Sequence, residues 1–184
     1  MKRYMIVGVF SLLAVALNAQ DKFFTKTGRI SFHSKAPLET IEAQNKAATC
    51  VLDAKSGNLQ FALLMKGFEF EKALMQEHFN ENYVESHKFP KAEFRGQILN
   101  NQDVNYSKDG VYPVKVKGKL TIHGETRDVE TAGKIEVKQG RVMADANFSI
   151  QLEDYKIEIP KIVKDNISKT VSIAVDVNLE PLKG

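Results

Sequence analysis

The sequence lacks several features on which common structures and activities depend. It has no tryptophan and only one cysteine, Cys50, so no disulfide can form within the chain. It contains no GxSxG elbow, no glycine-rich phosphate loop and no HExxH motif, so it shows none of the usual patterns of a serine hydrolase, a nucleotide-binding protein or a zinc protease. No apolar run approaches the ~20 residues that a transmembrane helix needs. These absences favour a non-enzymatic protein with no cofactor and no transmembrane segment.

Net charge is also low once the amino-terminal residues are set apart. Lys2 and Arg3 precede an apolar run from Met5 to Leu17, which is followed by small residues up to Gln20. This pattern is typical of a secretory signal peptide spanning residues 1–20. Without them, 24 of the 26 basic residues remain against 23 acidic ones, a net charge of +1. We therefore expect an exported domain, residues 21–184, with no electrostatic footprint for nucleic acid.

Alternating apolar and polar residues, by contrast, are abundant, and this period of two is typical of half-buried strands. Eight strands are predicted, joined mainly by tight turns such as Ser56-Gly57, His123-Gly124 and Gln139-Gly140. The predicted strands are 28–33, 47–53, 59–65, 91–99, 114–122, 129–137, 142–150 and 171–179. Such a succession predicts an all-β, up-and-down antiparallel sheet, and closure into a barrel would remove its exposed edges.

Two stretches depart from this pattern. Residues 34–46 lack strand periodicity, and Pro37 followed by Leu38 and Ile41 predicts a helical turn within a loop. Between the third and fourth strands, Met75 and Phe79 lie four residues apart, which predicts one short amphipathic helix. Gly67, where the alternation changes phase, predicts a bulge. Because the third strand is apolar on both faces, we expect the helix to cover its outer side.

The stretch around this helix resembles a known family. The string LMQEHFNENYVESHKFPKAEFRG, followed downstream by GKLTIHGETRDV, is similar to the YceI-like family of bacterial extracytoplasmic proteins. The resemblance extends from about Gly28 to Leu179. It implies an eight-stranded lipocalin-like β-barrel in the periplasm, which holds a polyisoprenoid or similar long-chain lipid.

The residues predicted to face the inside of the barrel indicate whether it has room for such a lipid. Many predicted inward positions carry small residues, namely Ala92, Gly96, Gly118, Thr131, Gly133, Ala144 and Ala146. Small side chains would leave room for a hydrocarbon tail, or they would simply taper a packed barrel. Taken with the resemblance, the pattern predicts a set of ligand-binding residues. They are Phe61, Leu63, Leu74, Met75, His78, Phe79, Phe94, Leu120, Ala144 and Phe148.

The remaining polar and reactive side chains give weaker signals. The spacing of the histidines matches no metal site. His78 is expected near the barrel mouth as a hydrogen-bonding or headgroup-contacting residue, and His123 is expected to satisfy backbone groups in its turn. Cys50 lies in a strand-like run and is expected to be a buried structural thiol. Lysines of the fifth strand are interpreted as a solvated face, with anionic headgroup contact as the alternative.

Two other functions stay open on the sequence alone. One is a structural or stress-related barrel without ligand. The other is an enzyme acting on an isoprenoid lipid, with His78 or His87 as general base. The sequence does not decide the oligomeric state, and a homodimer is compatible with it.

Overall fold

Antiparallel strands make up most of the fold. The computed structural model describes residues 22–182, so the predicted signal peptide lies outside the described residues. Within them the strands are β1 (Lys22–Lys35), β2 (Thr40–Asp53), β3 (Asn58–Leu64), β4 (Glu69–Phe70), β5 (Lys91–Ile98), β6 (Gly110–Ile122), β7 (Glu125–Lys138), β8 (Arg141–Gln151) and β9 (Thr170–Pro181). One α-helix, α1 (Ala73–His78), continues into a π-helical turn, Phe79–Tyr83.

Eight of these strands close into a barrel. Their order is β1-β9-β8-β7-β6-β5-β3-β2, and β2 pairs back onto β1. Every pairing is antiparallel, and strands that follow one another in the chain are mostly neighbours in the sheet. Closure leaves no unpaired barrel edge, because each long strand has a partner on both sides. The predicted all-β, eight-stranded antiparallel barrel with one short helix is confirmed.

The prediction for residues 34–46 is wrong. These residues form the end of β1, a tight turn and the start of β2, and the turn is closed by the N–H of Ala36 donating to the carbonyl of Glu39 at 2.9 Å. Thr40 and Ile41 are β-branched, so their preference for a strand prevails over the helical spacing that follows Pro37.

Irregular pairing hides the alternation of β1 and β2 in the sequence. The register between the two strands shifts between Thr25 and Gly28 and again between Gly28 and Ile30. On β2, burial moves from odd positions up to Asn45 to even positions from Ala48 onward. Such bulges change the face on which later side chains lie, so the unbroken period of two revealed only residues 28–33 of β1 and 47–53 of β2.

Asn45 stabilises this irregular region. Its side-chain oxygen accepts from the N–H of Ala47 at 2.9 Å, and its side-chain nitrogen donates to the carbonyl of Leu64 at 2.9 Å. A Cβ added at Gly67 would lie 2.7 Å from that same nitrogen. The predicted bulge at Gly67 is therefore wrong. The residue belongs to a 3₁₀ turn, Met65–Gly67, packed on Asn45, after which β4 pairs with β2.

The helix also lies in a different place from the one expected. Leu64, on the outer face of β3, is 56% exposed, so no helix covers that face. Instead α1 and its π-helical turn lie across one end of the barrel, here called the mouth. This end carries the β1–β2 turn, the β6–β7 turn and the segment 152–169 between β8 and β9.

The opposite end, here called the floor, is a packed core. Its buried side chains come from seven of the eight barrel strands and from the loop before β6, while β3 adds only the partly buried Leu59 and Phe61. They include Phe23, Cys50, Leu52, Ile98, Val104, Val114, Ile135, Val142, Val177 and Leu179. Partly buried Tyr106 stacks on Phe23 with ring centroids 5.9 Å apart. Among the described residues there is no helix long and apolar enough to cross a membrane.

Candidate functional site

A cavity of about 560 Å³ occupies the barrel between the packed floor and the helix. All ten side chains predicted from the sequence to bind ligand line it: Phe61, Leu63, Leu74, Met75, His78, Phe79, Phe94, Leu120, Ala144 and Phe148. Its volume falls within the range of about 300–1,000 Å³ typical of small-molecule sites. The structure thus brings the predicted set together around one space.

The bottom of the cavity is formed by the floor core. Leu52, Ile98 and Leu179 line the cavity and are themselves no more than 2% exposed. Val142 and Cys50, which belong to the same core and do not line the cavity, are fully buried. An occupant would therefore enter from the mouth and end against this apolar layer.

Phe94 on β5 shapes the middle of the cavity. It packs against both the floor core and the buried cluster below the helix. Gly96 and Gly118 are paired across β5 and β6, and a Cβ added at either would lie 2.5–2.6 Å from the Phe94 ring. The two glycines therefore let the ring lie flat on the wall rather than project into the barrel. Covered in this way, they do not line the cavity themselves, whereas the other small residues predicted to face inward do: Ala92, Thr131, Gly133, Ala144 and Ala146.

Four phenylalanines fix the helix over the cavity. The Phe79 ring lies 5.1–5.6 Å, centroid to centroid, from the rings of Phe32, Phe68 and Phe70. These pairs, one stacked, one edge-on and one tilted, add to the stabilisation gained by burying apolar area. All four rings line the cavity. Of these four phenylalanines, only Phe79 was predicted from the sequence. The spacing of two residues between Phe68 and Phe70, and between Ile30 and Phe32, is the signal that could have placed the other three on an inward strand face.

Polar groups are concentrated at the mouth. The Glu39 carboxylate accepts from Lys72 Nζ at 3.3 Å and from Asn166 Nδ2 at 3.4 Å. It therefore joins the start of α1, the β1–β2 turn and the 152–169 segment. The N–H of Ser168 also donates to buried Ser34 Oγ at 2.9 Å. Glu39, Lys72, Asn166 and exposed His78 all line the cavity, so a polar headgroup held here would meet both signs of charge.

A second polar contact lies at the side of the mouth, around His123. Nδ1 of its ring lies 2.9 Å from the Tyr155 carbonyl, and Nε2 lies 3.1 Å from a Glu85 carboxylate oxygen. Both partners accept hydrogen bonds, so the ring makes both contacts only as an imidazolium, with a proton on each nitrogen. Hydrogen bonds from Lys88 and then His123 hold the pKa of Glu85 below its ordinary value. The expected role of His123 in satisfying backbone groups is met at Tyr155, not within its own turn.

Among the described residues, the other reactive side chains singled out from the sequence are either buried or exposed. Cys50 is fully buried, and burial raises the pKa of its thiol, so the reactive thiolate is disfavoured. Tyr155 is buried too, and burial raises its pKa to about 12. Among residues 22–182 no three His, Cys, Asp or Glu side chains converge as metal ligands would. His78 and His87 are both exposed.

The basic face of β6 is solvated, as the sequence indicated. Lys117 lies 3.7 Å from Glu130, and Lys119 lies 3.0 Å from Asp128, so acids on β7 compensate its charge. These lysines point outward from the barrel wall and away from the cavity.

Both the sequence and the fold are similar to those of known proteins. A sequence profile of the YceI-like domain matches residues 12–179, and no curated protein shows a significant match to the sequence. The fold is similar to a structure described as a polyisoprenoid binding domain from Saccharophagus degradans implicated in plant cell wall breakdown. That pair has a TM-score of 0.76 at 14% identity and covers 88% of this chain and 99% of that one.

Two further solved structures share the fold. One is Burkholderia cenocepacia BcnA, with a TM-score of 0.66 and 18% identity over 83% of this chain and 95% of that one. The other is the Campylobacter jejuni YCEI protein, with a TM-score of 0.56 and 16% identity over the whole of both chains. The profile match spans most of the sequence, and the chain belongs to the YceI-like family.

Proposed function

We propose that the protein binds one long-chain amphiphile, a polyisoprenoid or a lipid of similar shape, and carries or sequesters it outside the cytoplasm. The observation that carries this proposal is the apolar cavity, which is closed at the floor and open at the mouth. The similarity to a polyisoprenoid binding domain supports it. The signal-peptide pattern of residues 1–20 supports export, and family resemblance favours the periplasm.

The tail would lie in the cavity with the headgroup at the mouth. Aromatic and aliphatic side chains make up most of the cavity wall and offer few polar partners for water, so a hydrocarbon is the occupant that gains most. Lys72, Glu39 and Asn166 are placed to contact a polar headgroup. The ten predicted residues would then be contacts to the bound lipid.

Cavity volume sets the length of that tail. A methylene group takes up roughly 30 Å³, about the volume share of one water molecule in the liquid. A cavity of about 560 Å³ therefore holds on the order of 15 to 20 carbon atoms. This corresponds to about four isoprene units or to a long saturated chain. Each buried methylene should contribute about 0.8 kcal/mol, close to fourfold in affinity.

A series of lipids differing only in tail length tests this proposal. Displacement of a fluorescent fatty acid should show affinity rising with each added carbon and then levelling off at about 15 to 20 carbons. Ala144→Phe, inside the cavity, should shift that plateau to shorter tails. The matched control is Ala132→Phe on the exposed face of β7, which should leave it unchanged. No binding at any length, or affinity independent of length, would refute the proposal.

A further inference from the structure

The mouth carries exposed apolar side chains that the fold does not use. Leu38 in the β1–β2 turn is 72% exposed, Leu74 on α1 is 62% exposed, and Ile162 in the 152–169 segment is 92% exposed. Each is the tip of a different segment. Exposed single leucines are common on protein surfaces, but three at one rim are a feature to explain.

Hydrogen bonds hold these three segments next to one another. The N–H of Leu38 donates to the Asp165 carbonyl at 3.0 Å, three residues from Ile162. Glu39 binds both Lys72, two residues before Leu74, and Asn166. The apolar tips therefore belong to one surface around the cavity opening. We call Leu38, Leu74 and Ile162 the rim patch.

Charges beside the rim patch point to the chemistry of its partner. Lys161 and Lys164 flank Ile162, and neither has a carboxylate within ion-pair distance in the part of the chain that the structure describes. Lys35, at the end of β1, is likewise without an ion pair there. An apolar tip bordered by free lysines fits the interface of a bilayer, where apolar groups insert and cations meet anionic headgroups.

We infer that the rim patch docks the barrel mouth on a lipid surface that contains anionic lipids. Leu38, Leu74 and Ile162 would insert into the headgroup region, and Lys161 and Lys164 would contact lipid phosphates. The opening of the cavity would then face the bilayer, so that a tail could pass between membrane and barrel without crossing water. This inference concerns where the protein docks and stands apart from what the cavity holds.

Flotation with vesicles tests the inference. Vesicles of phosphatidylcholine with one quarter phosphatidylglycerol should retain the protein, and 0.5 M salt or pure phosphatidylcholine should weaken retention. The double substitution Leu38→Ser with Ile162→Ser should lower the partition coefficient about tenfold or more. Lys161→Gln with Lys164→Gln should remove most of the dependence on salt and on anionic lipid.

The floor end offers a matched control. Leu99 and Val111 lie there and are 48% and 60% exposed, so Leu99→Ser with Val111→Ser removes exposed apolar surface, although a smaller area, far from the mouth. This variant should bind vesicles within about twofold of the parent, since only surface that inserts contributes. Circular dichroism of each variant checks that the barrel is folded.

Three results would overturn the inference. The first is a parent protein that stays in solution with every vesicle. The second is an equal loss of binding in the floor-end control. The third is a dimer in sedimentation that Leu38→Ser with Ile162→Ser dissociates, which would make the rim patch a contact between two copies. Uptake of a fluorescent fatty acid from cyclodextrin, measured without vesicles, reports separately on the cavity.

Discussion

At the floor of the barrel, inward side chains from opposite walls meet across the axis. In the half below the helix, the inward side chains face open space instead. Leu52, Val142 and Leu179 at the floor are at most 1% exposed. Phe61, Leu63 and Phe148, which also point inward, stay partly exposed because they border the cavity. One pattern of inward apolar residues therefore produces both a filled core and a hollow one.

The size of the residues at mid-height accounts for the difference. Gly133, Ala144 and Ala146 on β7 and β8 project little into the barrel, and the Gly96–Gly118 pair lets Phe94 lie along the wall. The helix lies over part of the mouth, held there by the Phe79 cluster, and does not fill the hollow half. We infer that stability resides mainly at the floor, and ligand capacity in the half below the helix.

Truncating a leucine in each half tests this division most strongly. Leu52→Ala at the floor should lower the free energy of unfolding by about 2–5 kcal/mol, because this side chain is only 1% exposed and loses packing contacts with the floor core. Leu63→Ala, beside the existing cavity, should cost clearly less, since its side chain already lacks neighbours on one side. Urea denaturation measures both. Equal costs would show that the two halves are packed alike.

Introducing a methyl group beneath Phe94 is expected to have the next largest effect. Gly118→Ala places a Cβ against the Phe94 ring and against the carbonyl of Arg95, which should destabilise the protein by about 1–3 kcal/mol. Adding Phe94→Leu to Gly118→Ala should recover only the part of the lost stability that comes from the clash with the Phe94 ring, because the clash with the Arg95 carbonyl persists. A double-mutant cycle measured by thermal unfolding separates the two parts. Purely additive effects would mean that the ring does not depend on the glycine.

Acid should loosen the hollow half through Glu85. Its pKa in the folded protein lies below the ordinary value of 4.5, so its contribution is present above that pH and is lost as pH falls through the lowered pKa. The difference in Tm between the parent and Glu85→Gln should therefore be largest near pH 7 and shrink below pH 4.5. The same difference at pH 7 and pH 3 would contradict this role.

Substitutions on the outer face of the barrel should have the smallest effect on both stability and lipid binding. Lys117→Ala removes an exposed ion pair with Glu130 and should change the free energy of unfolding by less than about 0.5 kcal/mol. Affinity for lipid should also stay unchanged, because Lys117 faces away from the cavity. A large loss of lipid binding in this variant would favour headgroup contact on the wall.

The elements that were predicted correctly are those in which apolar residues follow one unbroken period along the chain. Strands β6 to β9 keep a strict period of two, and the amphipathic spacing of Met75 and Phe79 marks the helix, so these elements and the barrel class were predictable. Only residues 28–33 of β1 and 47–53 of β2 were predicted as strand, because bulges near Gly28 and Asn45 move side chains to the other face. The helix lines the cavity, as its apolar side chains indicated, but it does not cover the outer side of the third strand, where Leu64 is exposed.

The cavity was only partly predictable for a related reason. Alternation identifies which residues face inward, and it brought all ten expected residues to the cavity wall. Whether inward residues leave a void depends on how they meet across the barrel, which is a property of three-dimensional packing. The role of Gly96 and Gly118 shows this, because their effect is exerted through the ring of Phe94.

Native mass spectrometry of the protein purified from its own host tests the central claim most directly. We predict one bound lipid per chain, with a tail of roughly 15 to 20 carbons that fits the cavity, and a bound lipid with a shorter tail in the Ala144→Phe variant. Repeated preparations with only the mass of the bare chain, together with no uptake of added lipid, would contradict the account.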